Sequence, residues 1–133
     1  MEDEIMIEKV IYIHDTARTL DQIEIEIWVK DGKLLYNKSN MPYMENMELN
    51  AESSLSVDEF EKKLAIIKIE EWDKHSEPPK DIVYLDGSNW TVKVKYEGKK
   101  EIKKTGENAY PTNWNKFIKL MILTVGNFET ITY

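Results

Sequence analysis

Residues 23–36 read IEIEIWVKDGKLLY, and this stretch decides the fold class. Isoleucine or valine occupies every second position from 23 to 29, which is the period of a β-strand with one apolar face. The dipeptide Asp31-Gly32 then predicts a two-residue hairpin turn, because both turn positions need a positive φ that these residue types tolerate. Such a turn pairs Val29 with Leu34 and keeps the apolar sides of the two strands together. The stretch therefore predicts an antiparallel hairpin.

Further strands and two helices are predicted on either side of this hairpin. Ser56 and Glu59 form a capping box, and apolar residues then recur on one helical face until the helix ends near Lys68. A second helix is predicted to begin after Thr112 as its cap and to end at Gly126. The remaining strand predictions cover residues 5–14, 82–85, 90–96, 99–105 and 128–132, and residues 39–55 and 106–111 are predicted to be loops.

Two helices against several strands predict one α+β domain over residues 1–133, in which a two-layer, mainly antiparallel sheet is packed by two helices. The order hairpin, loop, helix occurs twice, which suggests a duplicated β-β-α unit with halves at 22–68 and 88–124. When the halves are aligned, the positions that face the core differ by one residue between their leading strands. The second hairpin is therefore predicted to have a different loop length, about three residues. The alternative is a coincidence between two ordinary hairpins, because this order is common in α+β folds.

The composition excludes several classes of protein. The chain has no cysteine, which rules out disulfides, thiolate metal sites and cysteine nucleophiles. No apolar run is long enough to cross a bilayer, and the start, Met1-Glu2-Asp3-Glu4, has neither the basic nor the apolar segment of a secretion signal. A cytoplasmic location is therefore expected. No metal-ligand spacing or phosphate-binding loop is present, and we predict neither a metal nor a cofactor.

An acidic strip is predicted on the first hairpin, where Glu24, Glu26 and Trp28 share the face opposite the isoleucines. The net charge of the chain is −7, and residues 1–78 hold 19 acidic and 9 basic residues, whereas residues 79–133 hold 6 and 9. A tryptophan flanked by carboxylates suits the capture of a basic protein, so we predict these three side chains as partner-binding residues. The alternative is that a helix covers this face at Trp28, because tryptophan is usually buried.

Six lysines crowd the second hairpin: Lys93, Lys95, Lys99, Lys100, Lys103 and Lys104. A basic ribbon of this kind can follow a phosphate backbone, so nucleic-acid binding is an alternative function. Arg18 is the sole arginine of the chain, and the aromatic residues of this hairpin fall in the inward phase, which disfavours base and phosphate recognition. Solvation of the strands and protection against edge-to-edge aggregation are the alternative explanation of the lysines.

Neither histidine has the sequence surroundings of a catalytic residue. His14 ends a predicted strand and His75 precedes two prolines, and neither has a helical partner three or four residues further on. Both are expected to be ordinary surface or edge residues, and we predict no catalytic site. An enzyme would require a cleft that joins His14 to residues 106–111.

A distinctive pattern spans residues 86–121: an Asp-Gly pair, a tryptophan, an alternating strand, a glycine turn and Gly-x-Asn-Ala-Tyr-Pro before a helix. Its members are Asp86, Gly87, Trp90, Gly98, Gly106, Asn108, Ala109, Tyr110, Pro111 and Trp114. The pattern resembles a group of small uncharacterised bacterial proteins, mostly from Gram-positive species, and the resemblance implies no assigned activity. In structural terms Gly106 is expected to supply a positive φ and Asn108 to bond its own backbone, while Pro111 leads into the helix.

These observations favour a non-enzymatic cytoplasmic binding protein. In its most concrete form it is an immunity protein or inhibitor that neutralises a basic toxin or nuclease, with a protein as its partner and no membrane. Two alternatives stand beside this hypothesis. One is a nucleic-acid-binding module that uses the lysine-rich hairpin, and the other is a homodimeric structural protein that pairs through an open sheet edge.

Overall fold

The sheet and helices form two layers in the computed structural model of the protein, which describes residues 6–16, 22–41, 47–78 and 87–128. Seven strands lie in these residues: β1 (Ile7–Thr16), β2 (Gln22–Lys30), β3 (Lys33–Met41), β4 (Glu48–Glu52), β5 (His75–Ser76), β6 (Ser88–Tyr96) and β7 (Ile102–Glu107). The described α-helices are α1 (Val57–Ile67) and α2 (Trp114–Val125), and a short 3-10 helix, Ile69–Glu71, follows α1. The strand order is β4-β3-β2-β1-β6-β7-β5, and the neighbours are antiparallel except β5 and β7. The predicted α+β class with a mainly antiparallel sheet is confirmed.

The first hairpin has the predicted register. Val29 lies opposite Leu34, and the pairing continues along the whole of β2 and β3. The turn residues Asp31 and Gly32 have φ angles of 52° and 74°, as a two-residue turn of this type requires. Local turn chemistry and the two-residue alternation agree here, and together they fix which side of the hairpin faces the core.

The second hairpin, β6 and β7, has a different connection. Five residues, 97–101, connect β6 to β7, an odd number as the phase predicts but more than the predicted three. Val94 lies opposite Ile102, and Gly98 turns the chain with a φ of 72°. Because the connection has an odd number of residues, the apolar side chains of β6 face the core, as the sequence predicts. Within the sheet, one hairpin lies on each side of β1. The duplication of halves 22–68 and 88–124 stays a prediction.

Several predicted loops and boundaries were wrong. The loop at 39–55 contains β4, a short edge strand that is mostly exposed and pairs irregularly with β3. The loop that was predicted at 106–111 begins two residues later than predicted, because β7 continues to Glu107. Helix α2 has Asn113 rather than Thr112 as its N-cap. The predicted strand 82–85, Asp86 and the predicted closing strand beyond Phe128 lie outside the described residues.

The core lies between the inner face of the sheet and the two helices. Ser56 caps α1 as predicted, since its Oγ accepts from the Glu59 backbone N–H at 3.1 Å. Helix α1 then buries every third or fourth side chain, and α2 does the same with a longer apolar stripe. The core side chains they contribute are Phe60, Leu64, Ile67, Trp114, Phe117, Leu120, Met121 and Val125. They share one cluster with the inward-facing residues of the four central strands.

Lys38 is a buried charge on the inner face of β3, with 7% of its surface exposed. Its Nζ donates to the carbonyl oxygen of Val125 at 3.0 Å and to that of Asn127 at 3.3 Å, and it lies 2.9 Å from the Glu48 carboxylate. The ammonium group therefore satisfies carbonyls at the C-terminus of α2, where a positive charge also opposes the negative end of the helix dipole. Its contact also holds the pKa of Glu48 below its usual range.

We expect Lys38→Met to lower the free energy of unfolding by about 2 kcal/mol, because it leaves the Val125 carbonyl without this donor in a buried place. Urea unfolding monitored by circular dichroism measures the change. Lys33→Met on the same strand is the control, since Lys33 is an exposed partner of Glu52 at 3.4 Å and its loss should cost less than about 0.5 kcal/mol. Equal losses in the two variants would contradict this role for Lys38.

Candidate functional site

The side of the sheet opposite α1 and α2, called the open face here, has no helix on it among the described residues. Strand alternation brings side chains of five strands to this face, and cross-strand pairing places them in rows. One row runs Asn37, Glu26, Ile11, Lys93 and Lys103; the adjacent rows contain Ser39, Glu24, Ile13, Thr91 and Thr105 on one side and Leu35, Trp28, Lys9 and Lys95 on the other.

The acidic strip (Glu24, Glu26 and Trp28) lies on β2 of the open face. Glu24 is exposed and Trp28 is half-buried, and the described helices leave both uncovered. Glu26 lies 3.5 Å from the Lys9 ammonium group, whereas no described residue forms an ion pair with Glu24. The alternative in which a helix covers Trp28 is therefore not realised by α1 or α2.

The six lysines of the second hairpin do not form one ribbon. Three of them, Lys93, Lys95 and Lys103, lie on the open face and are called the lysine strip here. Lys99 and Lys100 lie in the connection between the strands. Lys104 faces the other way, and its Nζ donates to the backbone carbonyl oxygen of Trp72 at 2.7 Å. The hairpin thus offers half of the predicted lysines to any one flat partner.

The lysine strip contains a pair of like charges at close quarters. Lys93 lies directly opposite Lys103 across the β6–β7 pairing, and neither forms an ion pair with a described residue. Lys95 differs, because its Nζ lies 3.5 Å from the Glu8 carboxylate. Like charges in directly opposite positions weaken a sheet, so the fold carries this pair at a cost.

Between the two strips, β1 contributes Ile11 and Ile13, which are half-buried. Adjacent strands lie about 4.8 Å apart, so β2 and β6 flank this apolar centre at equal distances. The open face therefore carries negative charge on one side of β1 and positive charge on the other, and β1 itself contributes the apolar pair Ile11 and Ile13 together with Lys9. The sequence contained all these residues, but only the strand order shows that β1 separates the strips.

His14 was wrongly predicted to be a surface or edge residue. It is 1% exposed, its Nδ1 lies 2.7 Å from the Tyr12 hydroxyl, and its Nε2 lies 3.2 Å from the Tyr110 hydroxyl. The Tyr110 hydroxyl lies in turn 2.7 Å from the Ser88 Oγ. Burial lowers the pKa of His14 to about 4, so the ring is neutral at pH 7. No local pattern in the sequence points to this network, because Tyr110 lies far from His14 along the chain.

The residues of the distinctive pattern are brought together by hydrogen bonds around this network. The Asn108 Oδ1 accepts from the Ser88 backbone N–H at 2.8 Å, and the Ala109 carbonyl accepts from the Trp90 indole N–H at 2.8 Å. Gly106 does not have the positive φ that was predicted; its α-carbon instead lies against the Trp90 indole, where a Cβ would overlap the ring. Asn108 has the positive φ, at 53°.

A surface cleft of about 390 Å³ lies beside this region. Its lining consists of Glu71, Trp72, Asp73, Ser76, Glu77, Ala109, Tyr110, Pro111 and Thr112. Tyr110 connects the cleft to the buried network, but His14 is not part of the lining. The cleft that an enzyme would need, with His14 open to a substrate, is therefore not formed by these residues.

In the described part of the chain, no group of three or more histidine, aspartate or glutamate side chains could hold a metal ion. No helix there is long and apolar enough to cross a membrane.

Fold and site together define a two-layer α+β protein whose sheet keeps a charged, partly apolar face clear of its own described helices. No protein-family model, curated protein or solved structure matches the chain.

Proposed function

We propose that this protein is a non-enzymatic binding protein that captures a basic protein partner on its open face. In its most concrete form it is an immunity protein or inhibitor of a basic toxin or nuclease. The observation that carries the proposal is the acidic strip, in which Trp28 stands half-buried beside Glu24 and Glu26 on a sheet face without a described helix.

The chemistry of the strip suits this role. Tryptophan offers a large, rigid contact area and is enriched among the residues that dominate binding energy. Glu24 has no described ion-pair partner, so it can accept hydrogen bonds from a lysine or arginine of another protein. The net charge of −7 attracts a basic partner over a distance and raises the association rate.

The test is affinity capture from a lysate of the source organism with three baits: the wild-type chain, Glu24→Ala/Glu26→Ala/Trp28→Ala, and Lys93→Ala/Lys103→Ala on the same face. We expect the wild type and the lysine variant to retain one basic protein in near-equal amount, and the triple variant to lose it. Retention of that protein by the triple variant would contradict the proposal.

Nucleic-acid binding is the second candidate, and Lys93 and Lys103, which have no ion-pair partner among the described residues, favour it. Their like charges, side by side, suit two successive phosphates. The acidic strip on the same face opposes this candidate, since Glu24 and Glu26 would repel a polyanion that lay across the sheet. If it is correct, a single-stranded oligonucleotide will bind wild type at low salt, more weakly at high salt, and Lys93→Ala/Lys103→Ala poorly at both.

A further inference from the structure

We propose that the free protein forms a two-fold homodimer in which the open faces of two copies stack, so that the acidic strip of each copy lies over the lysine strip of the other. The proposal goes beyond partner capture, because its occupant is a second copy of this chain and it needs no foreign partner.

The order of strands carries the argument. The acidic strip lies on β2 and the lysine strip on β6 and β7, on opposite sides of β1. The two-fold axis runs between the two sheets and parallel to β1. Rotation about it turns the open face of one copy toward the open face of the other and exchanges the two sides of β1. This operation brings β2 of one copy over β6 of the other, and because the interface is isologous the same contact forms twice. An axis across the strands would instead place like charges together.

Register adds detail to this arrangement. Glu26 and Lys93 share one row, with Ile11 between them, so the operation sets each Glu26 against a Lys93 of the other copy. Trp28 and Lys95 share the next row and meet in the same way, ring against ammonium group. At the axis, Ile11 and Ile13 of the two copies pack together and leave water. Lys9, on the same face of β1, meets Lys9 of the other copy, and its ion pair with Glu26 at 3.5 Å offsets this repulsion.

The unpaired charges supply the driving chemistry. Glu24, Lys93 and Lys103 have no ion-pair partner among the described residues, and Lys93 opposes Lys103 directly. A second copy places its Glu26 carboxylate over Lys93, and this contact offsets the repulsion between Lys93 and Lys103 without any rearrangement within the chain.

Pairing through the sheet edges is a weaker route to a dimer. The edge strand β5 has two residues, and the other edge strand, β4, has five residues with an irregular register against β3. Short and irregular edge strands offer few aligned backbone hydrogen bonds to a second copy. The open face is the larger and more regular surface among the described residues.

Its size predicts a weak dimer. Five strands at about 4.8 Å and some six residues at about 3.3 Å give roughly 475 Å² of sheet per copy, and the total for two copies is smaller than that of most specific interfaces. An interface of this size is typical of a weak, transient contact, so the dimer is expected to form only at high protein concentration. A dimer of this strength would cover the acidic strip in concentrated solution and release it to a tighter partner.

Sedimentation equilibrium between about 5 μM and 1 mM tests the proposal. Wild type should change from monomer to dimer over this range and dissociate further as salt is raised. Glu24→Lys/Glu26→Lys alone and Lys93→Glu/Lys103→Glu alone should each weaken the dimer by about tenfold or more. An equimolar mixture of the two variants should restore association as a heterodimer, because each altered strip then meets an opposite charge. Circular dichroism confirms that the variants are folded.

Lys63→Glu/Lys116→Glu is the matched control. It changes the net charge as Lys93→Glu/Lys103→Glu does, but at exposed positions of the helices, and its dimer should persist. A monomer at every concentration, or a dimer unchanged by the strip variants, would overturn the proposal. Neither result would affect the capture experiment, which reports on a foreign protein at bait concentrations below the dimer range.

Discussion

Gly106→Ala is expected to lower the free energy of unfolding by about 2–4 kcal/mol. The added Cβ would overlap the Trp90 indole, which is 1% exposed and held by its hydrogen bond to the Ala109 carbonyl. The ring has no free space to retreat into, because Trp114 packs against it at 4.7 Å between ring centroids. Overpacking costs about 1–3 kcal/mol, and loss of the indole hydrogen bond adds about 1 kcal/mol.

The sign of this effect separates two explanations of the glycine. At a strand position with ordinary backbone angles and open space, Gly→Ala would stabilise the protein by about 0.4–1 kcal/mol. Gly98→Ala is the control: nothing lies within 4 Å of its Cβ, but its φ of 72° makes alanine unfavourable by about 1 kcal/mol. Urea unfolding of both variants measures the difference. A Gly106→Ala variant as stable as wild type would show that Trp90 is not fixed against this strand.

Acidification is expected to cost about 2 kcal/mol of stability by pH 5 and about 3 kcal/mol by pH 4, through His14 alone. Its pKa is lowered to about 4 in the folded protein because burial disfavours the charged ring. The unfolded chain, with a pKa near 6.5, therefore binds a proton more readily than the folded one. This contribution is fully present above pH 6.5 and is lost as the pH falls toward 4. Urea unfolding at pH 7, 6, 5 and 4 measures it.

Two variants isolate this histidine. His14→Gln keeps hydrogen-bonding groups near the hydroxyls of Tyr12 and Tyr110 but does not titrate, so it should flatten the loss between pH 7 and pH 5. His75→Gln changes the exposed histidine and should retain the wild-type loss. Glu48 also destabilises the fold on acidification, because its pKa is lowered by Lys38, but its loss begins below the pH 7 to 5 interval. An unchanged pH profile in His14→Gln would contradict the assignment.

Local patterns predicted the elements whose causes are local. The β2–β3 hairpin and its register follow from alternation and from Asp31-Gly32, and α1 begins where Ser56 and Glu59 place it. The odd number of residues in the second hairpin's connection also follows from which side chains of β6 face the core. In each case neighbours in the chain are neighbours in space, so the energetics of a few residues decide the outcome.

Contacts between distant residues were beyond these patterns. The buried contact of Lys38 with the end of α2 joins residues that are far apart in the chain. Strand β4 is only five residues long and mostly exposed, and its pairing with β3 defines it as a strand. Gly106 was assigned to a turn because glycine commonly serves there, and its actual requirement comes from the indole of Trp90 across the strand pair. Lys104 was grouped with its neighbours although the alternation of β7 directs it to the other face.

The sequence by itself determined the α+β class, the first hairpin and the residues of the acidic strip, because two-residue and helical periods record which side of an element is buried. Tertiary structure decided which strands lie beside β1, and with them the separation of Glu24 and Glu26 from Lys93 and Lys103 across Ile11. It also decided that His14 is buried with Tyr12 and Tyr110. The physical reason is that burial and pairing between distant strands depend on the packing of the whole chain, which no short window of residues contains.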